Sequence, residues 1–464
     1  MKIIFKSIFI IFISFSLQSC FVAKDYERPE EITDELKFRT ENIETDTNNI
    51  AKLSWKNIFE DEVLQQHIDE ALENNQDIRI ALQQIQIANS YFKQGKAGYY
   101  PSLNVNGEYT HQELAPNSQF GSFFSSLDQY ELSASLSWEA DIWGKIRSNK
   151  RAFQAQYLQT QAAHKAVKTE LIANVASAYF QLMALDEQIK TTEITIENRK
   201  NSLEVTKALK DAGNVNSVAV NQTKAQLHTA EAILLDLEND TKLLENTLSI
   251  LLGKTPEKIV RNSFENQNVN DSLMTGVPSD LLENRPDVIQ AEYQFINAFE
   301  MTNVAKSNFY PSITISATSG LQSLSLSDFI SGNSIFATFI GGLTQPIFNR
   351  RQIKTEYEVA QSEQKQAFLN FEKTLITASK EVSDAILNYE YAKKKIKIKT
   401  SEYEAYQSAV EDSQELLKNG LANYLEVLNA RENSLNTKLD LINAELTKYN
   451  AMIDLYRSLG GGWQ

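Results

Sequence analysis

Hydrophobic residues recur along this chain with two different periods. Val167, Leu171, Val175, Ala178, Leu182, Leu185 and Ile189 advance in steps of four and three. Leu428, Leu435, Ile442, Tyr449 and Tyr456 recur every seven residues, with Leu439, Leu446 and Ile453 between them. Both patterns are a/d seams of coiled-coil helices. A second apolar set (Ala166, Ala173, Ala176, Phe180 and Met183) falls on another face of the first helix. A helix with two apolar seams has neighbours on two sides, which suits a curved wall of helices. An ordinary helical bundle would satisfy the same periodicity.

Elsewhere the period is two. Leu103, Val105 and Tyr109 alternate with Asn104, Asn106, Glu108 and Thr110. Leu132, Ala134, Leu136 and Trp138 alternate with Ser133, Ser135 and Ser137, and Ile313, Ile315 and Ala317 alternate with Ser312, Thr314, Ser316 and Thr318. Ser334 to Gln345 reads as a fourth, Gly-rich strand. Each run is about ten residues, the length a tilted transmembrane strand needs. The loops His111 to Asp128 and Ser319 to Asn333, rich in Ser, Gly and Phe, are expected outside the cell.

Proline and glycine punctuate the helical text. No proline occurs between Pro116 and Pro256 or after Pro346. Gly213 is the only glycine between Gly144 and Gly253, and Gly420 the only one between Gly342 and Gly460. Each half therefore reads as a very long helix, one break and a returning helix. Lys145 to Asp211 would span roughly 100 Å at 1.5 Å per residue. The returning segment Asn214 to Leu252 and the helix Ser279 to Phe309 together make about 70 residues, close to the length of that long helix.

The halves are copies. Leu72-Glu73-Asn74-Asn75-Gln76-Asp77-Ile78 matches Leu282-Glu283-Asn284-Arg285-Pro286-Asp287-Val288, and Tyr100-Pro101-Ser102 matches Tyr310-Pro311-Ser312, both 210 positions on. Trp143 matches Phe348 at 205; Gly213 matches Gly420 and Leu252-Gly253 matches Leu459-Gly460 at 207. So ordered a set is a tandem duplication. It is expected to divide the chain into residues 55–277 and 278–464.

The N-terminus changes where this architecture must work. Lys2 and Lys6 precede an apolar stretch from Ile8 to Leu17, as in an export signal. Leu17-Gln18-Ser19-Cys20 resembles the bacterial lipobox, with Gln18 a less usual residue before the small Ser19. The resemblance implies that residues 1–19 are removed and that Cys20 carries lipid. Residues 20–54 are then an anchor and extension. One acyl chain anchors only marginally, whereas several hold firmly. Cys20 is the only cysteine, so no internal disulfide is available. His67, His111, His164 and His228 show no metal-ligand spacing, and a net charge of −15 argues against nucleic acid. No catalytic or cofactor motif is recognised. Leu252-Gly253-Lys254-Thr255 ends a helix and has Leu248 where a phosphate-binding loop needs its first glycine.

Four strands cannot close a barrel, because the smallest transmembrane barrels have eight. Open sheet edges are not tolerated in hydrocarbon. Several chains must therefore share one barrel, and three would supply twelve strands.

Several motifs together resemble the outer membrane factor family, the TolC-like and OprM-like exit ducts of tripartite export pumps. They are Cys20 with Asp25-Tyr26-Glu27-Arg28-Pro29, Asp141-Ile142-Trp143-Gly144, Arg285-Pro286-Asp287, Pro346-Ile347-Phe348, Gly420 to Ala430, and Leu459-Gly460-Gly461-Gly462-Trp463. The resemblance runs from Cys20 to Gln464, and the lipid anchor places the chain nearer the OprM-like branch. It implies a mostly α fold with β: an antiparallel coiled-coil helical barrel in the periplasm plus four strands per protomer. A homotrimer would form a twelve-stranded barrel in the outer membrane. The implied partners are a periplasmic adaptor protein, an inner-membrane pump of the RND type, and outer-membrane lipid.

The resemblance also implies site residues. Gly213 and Gly420 would form the helical tips where an adaptor docks. Just after the second tip, Leu425 and Glu426 would narrow the periplasmic entrance. Asn429 stands where the family usually has a second acidic residue, so a double acidic ring is not expected. A passive efflux duct is the expected function. A type I protein-secretion duct and a non-conducting lipid-anchored coiled-coil scaffold are the rivals, and the scaffold does not explain the four amphipathic strands.

Overall fold

Glycine, asparagine and proline set the ends of the helices. The computed structural model describes residues 22–29, 39, 50–267 and 280–463. The expected signal peptide, Cys20 and the expected repeat boundary at 277 and 278 lie outside the described residues. In chain order come helices α1 (Trp55–Ile58), α2 (Glu62–Asn74) and α3 (Gln76–Ala97), then strands β1 (Ser102–Glu113) and β2 (Ser126–Glu139). Helices α4 (Lys145–Asp211), α5 (Ser217–Leu251), α6 (Leu281–Asn284) and α7 (Pro286–Ser307) follow. Strands β3 (Ser312–Ser323) and β4 (Ile335–Thr344) lead into α8 (Gln352–Lys418) and α9 (Tyr424–Ser458). The halves agree in element length: α4 and α8 both have 67 residues, α5 and α9 both 35, α3 and α7 both 22.

The long helix from Lys145 to Asp211 has the expected ends. The expected helix from Ser279 to Phe309 does not run through. It breaks at Arg285, whose ψ of 114° is extended. Pro286 follows, and a proline pushes the residue before it out of the helical region. The first half breaks at the same place, Asn75, with ψ 133°. There the Asn75 side chain accepts from the Asp77 amide (2.8 Å) and donates to the Leu251 carbonyl (3.0 Å). Arg285 makes the matching reach, donating to the Ser458 carbonyl at 2.9 Å. In both halves a side chain at the break thus ties off the last turn of the returning helix.

The four strands form one antiparallel sheet in the order β1-β2-β3-β4. Leu103 faces Leu136, Leu136 faces Ala317, and Ala317 faces Phe339. The row beside it runs Asn104, Ser135, Thr318 and Thr338. Strands β1 and β2 extend further than their alternation indicated, shortening the expected loop. His111 and Tyr109 both bond Asp128, at 2.7 and 2.9 Å, and carry the ladder on to Glu113 and Ser126.

Two compact units result. One gathers residues 22–29, 85–160 and 291–371 and contains the sheet. Its N-terminal segment is held by Arg28, which bonds Glu292 twice at 2.7 Å, and by Asp25, paired with Arg151 at 2.5 Å. The other gathers residues 39, 50–84, 161–267, 280–290 and 372–463. Here α4 is buried on several sides: Leu171, Val175, Leu182, Phe180 and Met183 are all in the core, so both expected seams are occupied. Phe180 stacks on Tyr449 of α9 at 4.9 Å, and Arg261 joins Asp186 of α4 to Glu245 of α5.

Arg285 is buried and bonds Asp287 and Glu381 as well as Ser458. Burial raises the Asp287 carboxyl, but the hydrogen bond and charge of Arg285 outweigh it and hold the group below the ordinary 3.8. The ion pair therefore stabilises at neutral pH and is lost as pH falls below that ordinary value. We expect Arg285→Ala to lower unfolding stability by about 3 kcal/mol, the low end for a broken buried pair because both carboxylates keep some water. Denaturant titration of the purified protein checks this, and Asp287→Asn should flatten the acid limb of its stability profile. Gly460 has φ +92°, and a Cβ there would lie 2.4 Å from the Asn284 carbonyl oxygen. Gly460→Ala should therefore cost on the order of 1–3 kcal/mol in the same titration.

Candidate functional site

The sheet's two faces differ in chemistry. Leu103, Val105, Leu132, Leu136, Ile313, Ile315, Phe339 and Leu343 share one face, and Asn104, Asn106, Ser133, Ser135, Thr318 and Thr338 the other. Aromatic groups gather at both strand ends. Tyr109 and Tyr130 lie 5.0 Å apart at one end. At the other, Trp138 donates to the Tyr99 carbonyl (3.0 Å), and Trp143 stacks on Tyr310 at 4.9 Å and donates to the Pro311 carbonyl. An apolar band between aromatic girdles, with a polar opposite face, is the pattern of a sheet between lipid and water. The strands are 12, 14, 12 and 10 residues long, enough to cross at a tilt. Among the described residues no helix is long and apolar enough to cross a membrane.

Gly213 and Gly420 occupy the two turns between long and returning helices. Their φ values are +81° and +72°, and nothing lies within 4 Å of a Cβ at either position. Each closes its helix with the same pair of bonds. Gly213 donates to Lys210 and Asn214 to Leu209; Gly420 donates to Leu417 and Leu421 to Leu416. This is the glycine C-cap that satisfies orphan carbonyls in a left-handed conformation. Asn216 and Asn423 then cap the returning helices from the other side, accepting from Val218 and Glu426 amides. Val218 and Leu421 stand exposed beside these turns.

Leu425, Glu426 and Asn429 lie in the first two turns of α9, all exposed, while Tyr424, Val427 and Leu428 are buried. The structure therefore puts the three expected entrance residues on one accessible side of the helix. Among the described residues no cation pairs with the Glu426 carboxylate. Its place in the first turn also suits the helix dipole.

The buried side of the same segment was not singled out from sequence. Tyr424 and Thr223 share a hydroxyl–hydroxyl hydrogen bond at 3.0 Å between α9 and α5. Gln226 donates to Glu432 at 3.1 Å. Arg431 reaches across to Ser202 and, at 3.4 Å, to the Asn198 carbonyl of α4, and Arg199 of α4 donates to the Gln226 carbonyl of α5. Burial holds both guanidinium groups below their usual basicity. Leu425, Glu426 and Asn429 are thus mounted on a helix fastened to α4 and α5 by four polar contacts. A partial sequence signal was available for Arg431, a cation on the face of Val427, Leu428 and Leu435; Ser202 lies among Asn198, Arg199 and Thr206 and gave none, so the partner face was not marked.

Comparison with known proteins agrees with this geometry. The profile of the outer membrane efflux protein family matches residues 67–254 and 277–461. A protein of Escherichia coli named cation efflux system protein CusC is 27% identical over 456 residues, 97% of this chain and 98% of that one. A probable outer membrane lipoprotein of Salmonella typhimurium, SilC, is 27% identical over 454 residues, 97% of each chain. A crystal structure of CusC superposes with a TM-score of 0.83 at 26% identity, covering 95% of this chain and all of that one. The chain belongs to the outer membrane efflux protein family, and it serves as an outer-membrane channel of an efflux system and not as an enzyme.

Proposed function

We propose that three copies of this chain enclose one duct, through which small molecules pass passively from a periplasmic adaptor and an RND-type inner-membrane pump to the outside. The observation that carries this reading is the sheet. It has four strands, one apolar face and two unpaired edges, β1 and β4. One protomer cannot leave those edges in hydrocarbon, and three protomers make a ring of twelve strands.

The remaining roles extend this reading and rest on the sequence motifs. Residues 1–19 are the signal peptide, and Cys20 carries the lipid that holds residues 20–54 at the membrane. Residues 55–277 and 278–464 are the two structural repeats, each supplying two strands and one long hairpin of helices. The turns at Gly213 and Gly420 meet the adaptor, with Val218 and Leu421 as apolar contacts. Leu425, Glu426 and Asn429 ring the periplasmic entrance, where three copies of Glu426 surround one axis. Like charges held close together repel and favour cations between them. The fastenings of α9 to α4 and α5 hold that ring narrow.

Three outcomes are expected. Glu426→Ala should raise resting single-channel conductance in planar bilayers; unchanged conductance and unchanged antibiotic leakage would remove Glu426 from the entrance. Tyr424→Phe removes one buried hydrogen bond worth about 1 kcal/mol, roughly fivefold in the closed-to-open ratio. It should raise leakage to a similar degree. Gly420→Val should abolish export while leaving the oligomer intact, read by drug sensitivity and by gel mobility without heating.

A further inference from the structure

A cavity of about 410 Å3 lies between α4, α8 and α9, within one compact unit. Small-ligand sites measure roughly 300–1,000 Å3. Four cations line it: Lys190 and Arg199 of α4, and Arg431 and Lys438 of α9. Lys190 is answered twice, by Glu187 and by Glu265, each at 3.4 Å. Among the described residues no carboxylate forms an ion pair with the other three. Lys438 lies over the Tyr403 ring at 5.4 Å. Glu432 acts on Arg199 through its charge, but its carboxylate takes its hydrogen bond from Gln226. The chain has 60 acidic residues against 45 basic ones, so composition does not explain three cations without an acid.

Hydrogen-bond donors are in surplus at the same place. A guanidinium carries five N–H groups in a planar fork. Arg199 is only 5% exposed, donates to the Gln226 carbonyl through Nη1, and has its Nε enclosed with no acceptor. Arg431 makes both of its bonds, to Ser202 and to the Asn198 carbonyl, from Nη1. Its Nε and Nη2 meet no acceptor among the described residues. A buried charge is costly unless it is paired. Burial, and after it the charge of Arg431, push the Arg199 guanidinium below its usual basicity against the opposing pull of Glu432.

The fold does not require this cluster. Helices α4 and α8 begin and end 207 positions apart, and so do α5 and α9. At that offset Arg199 corresponds to Tyr406, Arg431 to Lys224 and Lys438 to Glu231. The equivalent positions thus carry one cation and one acid, in hairpins of the same length.

We propose that this cavity binds a phosphate-class oxyanion, held between Arg199 of α4 and Arg431 and Lys438 of α9. Guanidinium forks match phosphate oxygens two at a time, a geometry that a halide does not use. Ser434, also in the lining, accepts from Gln407 at 2.9 Å and keeps its own O–H to donate. The bound anion neutralises two guanidinium groups that repel each other and bridges α4 to α9 across the interface that Arg431 already fastens. Its effect on transport rests on the entrance reading above: a bridged α9 keeps the entrance narrow.

Isothermal titration calorimetry on the purified full-length protein in detergent tests the site. Inorganic phosphate and glycerol phosphate are separate probes, titrated against chloride at constant ionic strength. Saturable binding at one site per chain is expected. Tighter binding of glycerol phosphate would assign a monoester, and tighter binding of inorganic phosphate the free ion. Arg431→Gln should weaken phosphate about tenfold, the scale of one hydrogen bond to a charged group. That change also loosens α9, so Lys438→Gln is the second variant. It breaks no ion pair within the protein and should weaken phosphate about threefold. Lys242→Gln, on the exposed side of α5, should leave binding unchanged. Heat that does not saturate, or an equal loss in Lys242→Gln and Lys438→Gln, would overturn the site. In planar bilayers, phosphate at a small fraction of the bulk salt should lower the resting conductance. Saturable binding with unchanged conductance would spare the site and overturn the entrance reading.

Discussion

A β-strand edge carries unpaired N–H and C=O groups, and hydrocarbon offers them nothing. Each such group costs several kcal/mol in lipid. That penalty governs this protein more than any single contact within it. The sheet places β1 and β4 at its edges with exposed apolar side chains, so the protomer is stable in a membrane only as part of a closed ring. Ring closure also creates the lumen. The polar rows through Asn104 and Asn106 then face water and the apolar rows through Leu103 and Val105 face lipid.

The helices follow the same logic in a different medium. A helix satisfies its own backbone, so α4 and α8 run for 67 residues without needing a partner for their peptide groups. What they need is cover for their apolar faces, supplied by α5 and α9 and by the short helices. The ends of those partners are tied at equivalent places: Asn75 to Leu251 in one repeat, Arg285 to Ser458 in the other. Amide and guanidinium are different chemistries for one task. The substitution adds an ion pair with Asp287 and Glu381 that the first repeat lacks. Duplication has thus preserved geometry while the charges of the two copies differ, and Leu425, Glu426 and Asn429 of α9 sit in the copy that carries the ion pair.

Much of the fold was legible in the sequence because the strongest signals are local. The ends of α4 could be read from Gly144 and Gly213, and the amphipathic strands from strict alternation. The break at Arg285 was equally local, since Pro286 forbids helix before it, yet the helical periodicity on both sides masked it. The strand ends near Glu113 and Ser126 were hidden because His111, Asp128 and Gln112 interrupt the alternation while the ladder continues. The fastenings behind Leu425, Glu426 and Asn429 were not legible. Thr223 meets Tyr424, and Ser202 meets Arg431, across some two hundred residues. No period within either helix says which faces will meet. Leu425, Glu426 and Asn429 came from family resemblance, and the structure adds that all three are accessible.

The claim beneath everything else is that both sheet edges are paired in the working protein. Backbone amide exchange on protein extracted from the outer membrane in mild detergent tests it most directly. The amides of β1 and β4 should exchange as slowly as those of β2 and β3, over hours or longer. Rapid exchange along β1 and β4 beside protected β2 and β3 would mean that the edges are free, and the closed ring would be contradicted.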